Sequence, residues 1–529
     1  MTSPKLTRDV VSAYFCPRWA SLLACRYGRI IVYALALTIL ASEFCFFRLH
    51  AGTLFGDEAA FACTTDHMRA TGDWVVPFIG DNPHLNATPL YNWLTVAAAP
   101  WFDESPLWYR FWSAVSGIGC VLLAFALGTF LFRPEAGLLA GLLLVFNRGF
   151  LFDHGIRFGG MDAMLTFFVT AATLCYAWLY IKPGRAYSAW GLLGVCIGLA
   201  CLTKPPVFGV FFFTLITLHW LIHRRGESLA VRTAGPVLAA AIATLIAAPW
   251  YFLLWRRLGN GCLYSLFIYN SLERALDRTV RDPFCCHRAI WHSSSAFKLV
   301  EAAFACAVGS WAARYRRQEW GLLLFLAGGY LLALTAAGKP FQYIYYPFPL
   351  LAVLLAGLFL ESGPFLLAWV VPKLARTAVL VGVAVAAVLI SADCLRALRI
   401  LGGPAWTHPP FGIYERLAPE LAQRHCRYVL FGFHLETCNF EDLYYQAHMP
   451  LANRVRDLKE LSALLEDGTP ILVLLPPITS PQPQLAGLRP EIWLQENPWP
   501  IFTYTVLAFN GGSSLIPAAE LTRLARGNQ

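Results

Sequence analysis

Residues 109–131 read YRFWSAVSGIGCVLLAFALGTFL, a run whose length matches the roughly 17 to 25 apolar residues a helix needs to cross about 30 Å of hydrocarbon. Working outward from it, similar runs lie at 29–49, 136–153, 161–182, 189–203, 205–222, 231–255, 295–313, 319–337, 343–361 and 374–393. That gives about eleven helical spans between Arg29 and Asp393. The whole chain of 529 residues is 57% hydrophobic and 14% charged, with a positive mean hydropathy. Such a composition excludes an ordinary soluble domain of this length. The expected architecture is an all-α polytopic membrane domain. Residues 1–28 carry Lys5, Arg8, Arg18 and Arg26, but the apolar stretch that follows is too long for a signal peptide and ends in no small-residue cleavage site, so it is expected to stay as an anchor.

Basic residues at the span ends set the orientation, because Lys and Arg are retained on the cytoplasmic side. Arg133, the Lys182 and Arg185 pair, Arg224 and Arg225 with Arg232, the Arg314, Arg316 and Arg317 cluster, and Lys373 with Arg376 fall in alternate short loops. Those loops and the N-terminus are expected in the cytoplasm. An odd number of spans then places residues 394–529 outside, in a multi-pass protein of the inner (plasma) membrane. The net charge of +9 is largely this topology signal and gives no argument for nucleic acid. Most of the fifteen cysteines sit inside apolar spans, where Cys behaves as a small hydrophobe. No Cys-x-x-Cys or zinc spacing occurs. Cys426 with Cys438, and Cys285 or Cys286 with Cys262, are the pairings an oxidising compartment allows.

Three outer segments exceed the length of connectors: about 50–108, about 256–294, and the tail from 394. In the first, Asp57 to Thr71 reads as an amphipathic helix, and a second aromatic helical stretch begins after Pro83, with Tyr91, Trp93, Trp101, Trp108 and Tyr109. Tryptophan and tyrosine favour the headgroup level, so both helices are expected to lie along the membrane surface. In the tail, Tyr428–Phe433, Ile471–Leu475 and Phe502–Phe509 read as strands, and Phe440–His448 and Val455–Leu465 as helices. The pattern predicts a small α/β domain over 394–529, suited to docking or capping, with no phosphate loop, nucleophile elbow or zinc-protease motif in it.

Chemistry-bearing residues gather at the outer ends of the spans. Asp57 and Glu58 open the first loop, either as helix caps or as a base at the membrane boundary. Asp162 lies at the outer end of the fourth expected span, with Arg157 upstream, and an ionisable group at such depth is either a paired cap or functional. Lys204 and Lys339 sit outside, against the inward bias of positive charge, so they either snorkel to headgroups or hold an anionic phosphate. The segment after the seventh span adds Arg274, Arg278, Arg281, Asp282, His287, Arg288 and His292, as a solvated surface or as part of a lid. Acids, cations and aromatics above a lipid boundary suit a lipid-linked phosphate and a sugar.

Several motifs, in this order, carry a resemblance. They are Gly56-Asp57-Glu58-Ala59, then Ala70-Thr71-Gly72-Asp73-Trp74-Val75-Val76-Pro77, Pro89-Leu90 with Trp93, and Arg157 with Asp162-Ala163-Met164-Leu165-Thr166. Gly198-Leu199-Ala200-Cys201-Leu202-Thr203-Lys204 and Gly338-Lys339 with Tyr343 and Pro347 complete them. Over roughly residues 30 to 360 the chain resembles the bacterial membrane glycosyltransferases of the aminoarabinose transferase and protein O-mannosyltransferase superfamily, of the GT-C fold. The resemblance implies a transmembrane glycosyltransferase domain over 29–393 with amphipathic juxtamembrane helices. It implies inverting transfer of a sugar from a polyprenyl-phosphate donor at the outer face, with no nucleotide sugar. The catalytic carboxylate it implies is Asp57, with Glu58 as its neighbour in the motif.

Physical chemistry asks for the same parts: cations to balance the leaving phosphate and a base for the acceptor. Arg157, Lys204, Lys339, Arg288 and Tyr343 are assigned to the donor phosphate. Asp162 is to position Arg157 or the acceptor, and Asn86, Tyr91 and His287 to face the sugar and acceptor. Water is to be excluded by the surface helices and the His287 segment acting as a lid. The chain departs from the family where relatives read Arg-Tyr after the acid pair and Glu-Lys-Pro-Pro-Leu later; here stand Ala60-Phe61 and Asn86-Ala87-Thr88-Pro89-Leu90. No cofactor is expected, and the sequence leaves a divalent metal undecided. The acceptor stays open between a glycolipid such as lipid A, another glycan and a protein. A flippase for lipid-linked glycan and a non-catalytic assembly protein are the rival readings, the first lacking the repeated halves usual in transporters.

Overall fold

The computed structural model describes residues 25–50, 54, 57–79, 82–85, 88–102, 106–152, 155–182, 186–273, 318–336 and 345–362, the segments 427–431, 452–455, 471–475, 491–499 and 502–509, and residues 392, 395, 463 and 466. In chain order the helices are α1 (Arg26–Phe46), α2 (Asp57–Thr71), α3 (Leu90–Ala98), α4 (Pro106–Leu131), α5 (Pro134–Val145), the short α6 (Arg148–Leu151), α7 (Met161–Ile181), α8 (Ala186–Thr203), α9 (Val207–His223), α10 (Leu229–Leu258), α11 (Asn260–Leu263), α12 (Gln318–Ala336) and α13 (Phe348–Gly357). A two-residue hairpin, β1 (Phe78–Ile79) with β2 (Asn82–Pro83), sits between α2 and α3.

Among the described residues, α1, α4, α7 and α10 are long and apolar enough to cross a membrane, and α5, α8, α9 and α13 are shorter apolar helices. The expected spans at 295–313 and 374–393 lie outside the described residues. The expected span at 136–153 is corrected. Helix α5 stops at Val145, and Asn147 caps a separate turn by accepting the Phe150 N–H at 3.0 Å. An Asn at that position satisfies an otherwise orphaned amide, which favours a new helix start over continuation.

The chain forms two compact units, residues 1–46 with 113–394 and residues 47–112 with 395–529. In the first, glycines let helices approach closely. A Cβ at Gly194 of α8 would meet the Ala239 carbonyl oxygen of α10 at 2.5 Å, and one at Gly198 would meet Ile246 Cβ at 2.9 Å. Small residues four apart are how apolar helices gain van der Waals contact in lipid, where no hydrophobic effect drives them together. Charged pairs tie helix ends: Arg29 to Glu135 at 2.7 Å, and Arg133 to Glu361 at 3.9 Å.

In the second unit, α2 ends at Gly72, whose φ of +68° suits glycine and whose N–H reaches the Met68 carbonyl at 2.9 Å. Asp73 then turns the chain by accepting the Val75 and Val76 amides at 3.0 and 3.3 Å. The helix at Asp57–Thr71 is the one expected from the sequence; the setting of the aromatic rings that follow it differs from the expected one. Trp108, Tyr91 and Tyr109 are not at a surface; their rings are buried at 0%, 1% and 2% exposure. Their polar tips bond to backbone inside the unit, Trp108 to the Thr95 carbonyl at 2.7 Å and Tyr91 to that of Tyr109 at 2.5 Å. Large amphipathic rings serve a small core as well as a headgroup belt when a carbonyl satisfies the N–H or O–H. Trp101 and Trp74 remain exposed.

The tail carries a five-stranded sheet in the order β4-β3-β5-β7-β6, built from β3 (Arg427–Phe431), β4 (Ala452–Val455), β5 (Ile471–Leu475), β6 (Glu491–Trp499) and β7 (Phe502–Phe509). Strands β3, β4 and β5 run parallel, while β7 pairs antiparallel with both β5 and β6. Three strands are where the apolar β-branched runs predict them. Strands β4 and β6 were not expected: β4 takes residues up to Val455, where a helix was read, and β6 contains Pro498. That proline is tolerated because β6 is an edge strand and its ladder shifts between Glu496 and Trp499. Parallel neighbours need crossover connections, and the segments at 440–448 and 456–462, expected to be helical, lie outside the described residues.

Candidate active site

In the first unit three residues at helix ends, or beside them, come together. Asp162 lies in the first turn of α7, Lys204 directly follows α8, and Tyr346 precedes α13. The Lys204 ammonium donates to Asp162 Oδ1 at 2.5 Å and to the Tyr346 hydroxyl oxygen at 2.7 Å. Tyr346 in turn donates to the same Asp162 oxygen at 2.5 Å. The triangle is mostly enclosed, with 17% of the Lys204 side chain and 12% of the Asp162 side chain exposed. Lys204 also lies 5.4 Å from the ring centroids of both Phe208 and Tyr346, so two aromatic faces add to its electrostatic support.

Local sequence explains the placement. Pro205 and Pro206 end α8, leaving Lys204 beside the negative end of its dipole, while Asp162 sits at the positive end of α7. The start of α7 is pinned by Ser113, which donates to the Gly160 carbonyl at 2.8 Å and accepts its N–H at 3.2 Å. A carboxylate, an ammonium and a phenol so held can accept an anionic group at the cation and exchange hydrogen bonds around it. Sequence points to Tyr343 and gives no sign of Tyr346. Only the pairing with Asp162 distinguishes it, and nothing in the run Tyr343-Ile344-Tyr345-Tyr346 does.

Arg157 stands at the end of α1. Its Nη1 donates to the carbonyls of Phe44 and Cys45 at 2.7 and 3.1 Å, capping the C-terminal end of α1, and it lies 5.5 Å from the Phe152 ring. A guanidinium at the negative end of a helix dipole is well placed for that task. Asp162 is paired with Lys204.

The second unit holds the acid pair, and the structure separates its members. Asp57, first residue of α2, is exposed. Glu58 is 2% exposed and receives both Nε and Nη2 of Arg110 at 2.8 Å. Tyr91, expected to face sugar, has its ring buried and its hydroxyl donating to the Tyr109 carbonyl. Nearby, burial pushes the His84 imidazole down to about 4, so it is neutral at physiological pH. Asn86, His287, Arg288, Lys339 and Tyr343 lie outside the described residues, and no cluster of three or more metal-ligating residues occurs among the described ones.

Residues 31–259 match the model of the dolichyl-phosphate-mannose-protein mannosyltransferase family. A protein of Aquifex aeolicus without assigned function is 23% identical over 58% of this chain and 59% of its own length. The undecaprenyl phosphate-alpha-4-amino-4-deoxy-L-arabinose arabinosyl transferase of Pectobacterium carotovorum is 25% identical over 57% of this chain and 54% of its own. The match thus spans little more than half the length of these curated relatives. Among solved structures, ArnT from Cupriavidus metallidurans bound to undecaprenyl phosphate superposes with a TM-score of 0.63 at 17% identity, covering 90% of this chain and 97% of that one. The oligosaccharyltransferase AglB of Archaeoglobus fulgidus gives 0.51 at 14% identity, covering 84% and 69%. The chain therefore shares the GT-C fold of these structures, the fold that the sequence resemblance implied. Within that class it is similar to the aminoarabinose transferase type.

Proposed function

We propose that the chain is an inverting glycosyltransferase that moves a sugar from a polyprenyl phosphate to a glycolipid, glycan or protein hydroxyl at the outer face of the membrane. The observation that carries this reading is the enclosed Lys204 ammonium, held by Asp162 and Tyr346 at the ends of three helices. Such a cation is poised to balance a lipid-linked phosphate. The names of its relatives point the same way, since undecaprenyl phosphate is the lipid in both the Pectobacterium enzyme and the Cupriavidus structure.

In this reading Asp57 takes the proton of the acceptor hydroxyl as its oxygen attacks the anomeric carbon. The bond from that carbon to the phosphate oxygen breaks, and attack from the opposite face inverts the centre. Polyprenyl phosphate leaves with the bonding electrons, its charge balanced by Lys204, with Tyr346 donating to the phosphate in place of Asp162. Lys339, Arg288 and Tyr343 are assigned to the same phosphate, and Asn86 and His287 to sugar and acceptor, on sequence alone. Arg157 is assigned to that phosphate on sequence alone as well, while its Nη1 supports the end of α1.

The test is transfer from a panel of polyprenyl-phosphate sugars in membranes containing glycolipid acceptors, comparing wild type with Asp57→Asn. Loss of a positioned general base costs about 10² to 10⁴ in rate, and a fall in that range is expected with the donor still bound. Undiminished transfer by Asp57→Asn sinks the assignment of the base, and no transfer by wild type from any donor sinks the function.

A further inference from the structure

A buried ion pair beside Asp57 has a role that the acid motif alone does not suggest. Arg110, on the second turn of α4, is 8% exposed, and three of its nitrogens have partners. Nε and Nη2 form a fork on the two carboxylate oxygens of Glu58, each at 2.8 Å, and Nη1 donates to the Leu49 carbonyl at 3.2 Å. We propose that Arg110 is a positioning residue that, through Glu58 and Leu49, fixes the start of α2 and so aims Asp57. This inference rests on the reading of Asp57 as the base.

The geometry supports positioning over simple stability. A forked guanidinium–carboxylate pair constrains angle as well as distance. Leu49 and Glu58 flank residues 50–57, so one guanidinium holds both ends of the segment that delivers Asp57. Successive helical residues are rotated by about 100°. Holding Glu58 inward therefore turns Asp57 about 100° away from the buried side, and Asp57 is exposed. A buried ion pair gives little net stability over an apolar pair of equal size, so its constraint on geometry is the property that such a pair adds.

Three variants test this in membranes carrying the full chain: Arg110→Lys, which keeps charge but loses the fork, Glu58→Gln, and the double Glu58→Gln/Arg110→Met. The double leaves no unpaired buried charge and carries the test if a single variant fails to fold. A misplaced base is expected to lower kcat, counted per folded molecule from the folded fraction of each preparation, by about 100-fold while the donor KM stays within about twofold; counting per folded molecule removes the fall that an unfolded fraction alone produces at constant KM. Hydrogen–deuterium exchange over residues 57–71 is expected to quicken in the double variant whether or not a donor is found. Where Asp57→Asn inactivates but the folded double variant retains wild-type kcat, the positioning role is overturned and the function stands. Where wild type transfers from no donor, the function falls, and unchanged exchange over 57–71 overturns the clamp separately.

Discussion

At the scale of single residues, the acid pair and the lysines divide by what surrounds them. Asp57 and Glu58 are adjacent and chemically alike, yet one is open to solvent and the other is locked on Arg110. Lys204 was legible in the sequence as a cation expected outside, against the inward bias of positive charge, and the structure supplies its partners. Removing it leaves the Asp162 carboxylate enclosed without its cation. Lys204→Met is accordingly expected to destabilise the protein by about 3 to 5 kcal/mol. The double Lys204→Met/Asp162→Asn should recover most of that loss, read as detergent melting curves of the four members of the cycle. Additive losses would show that the two side chains do not interact. Arg110 gave no signal in the sequence, because its role depends on a carboxylate 52 positions earlier.

At the scale of elements, helix periods and caps were readable and their surroundings were not. The bounds of α2 follow from an acid at its start and Gly72 at its end. The break at Asn147 was hidden, since apolar residues continue on both sides of it and only the cap to Phe150 interrupts the helix. The aromatic stretch of the first loop misled for a related reason. Trp and Tyr suit both a headgroup belt and a small core, and composition does not distinguish them. The α8–α10 contact is an element-scale property with a direct check. Gly194→Val is expected to force its side chain into the Ala239 backbone, costing about 1 to 3 kcal/mol. Gly191→Val, whose Cβ meets Ile242 at an ordinary 3.5 Å, should cost less. Equal melting temperatures for the two variants would refute close packing at Gly194.

At the scale of the whole molecule, the alternation of basic loops predicts a cytoplasmic N-terminus and an outer segment after 394. Reporter enzymes fused after residue 185 and after residue 529 are expected to read cytoplasm and exterior respectively. The same reading from both fusions would contradict the odd number of spans. Sequence by itself determined that the chain is rich in long apolar helices of membrane-spanning length, that Asp57 heads a helix, and that a segment near the C-terminus contains strands. Apolar length, period and terminal charge are local properties, and they are written in consecutive residues. Tertiary structure decided which ionisable groups meet. Asp162, Lys204 and Tyr346 are brought together from positions up to 184 apart, and Arg157 and Arg110 are committed to a helix end and a carboxylate. Those choices are made by packing and by the cost of enclosing an unpaired charge, which no stretch of sequence expresses alone.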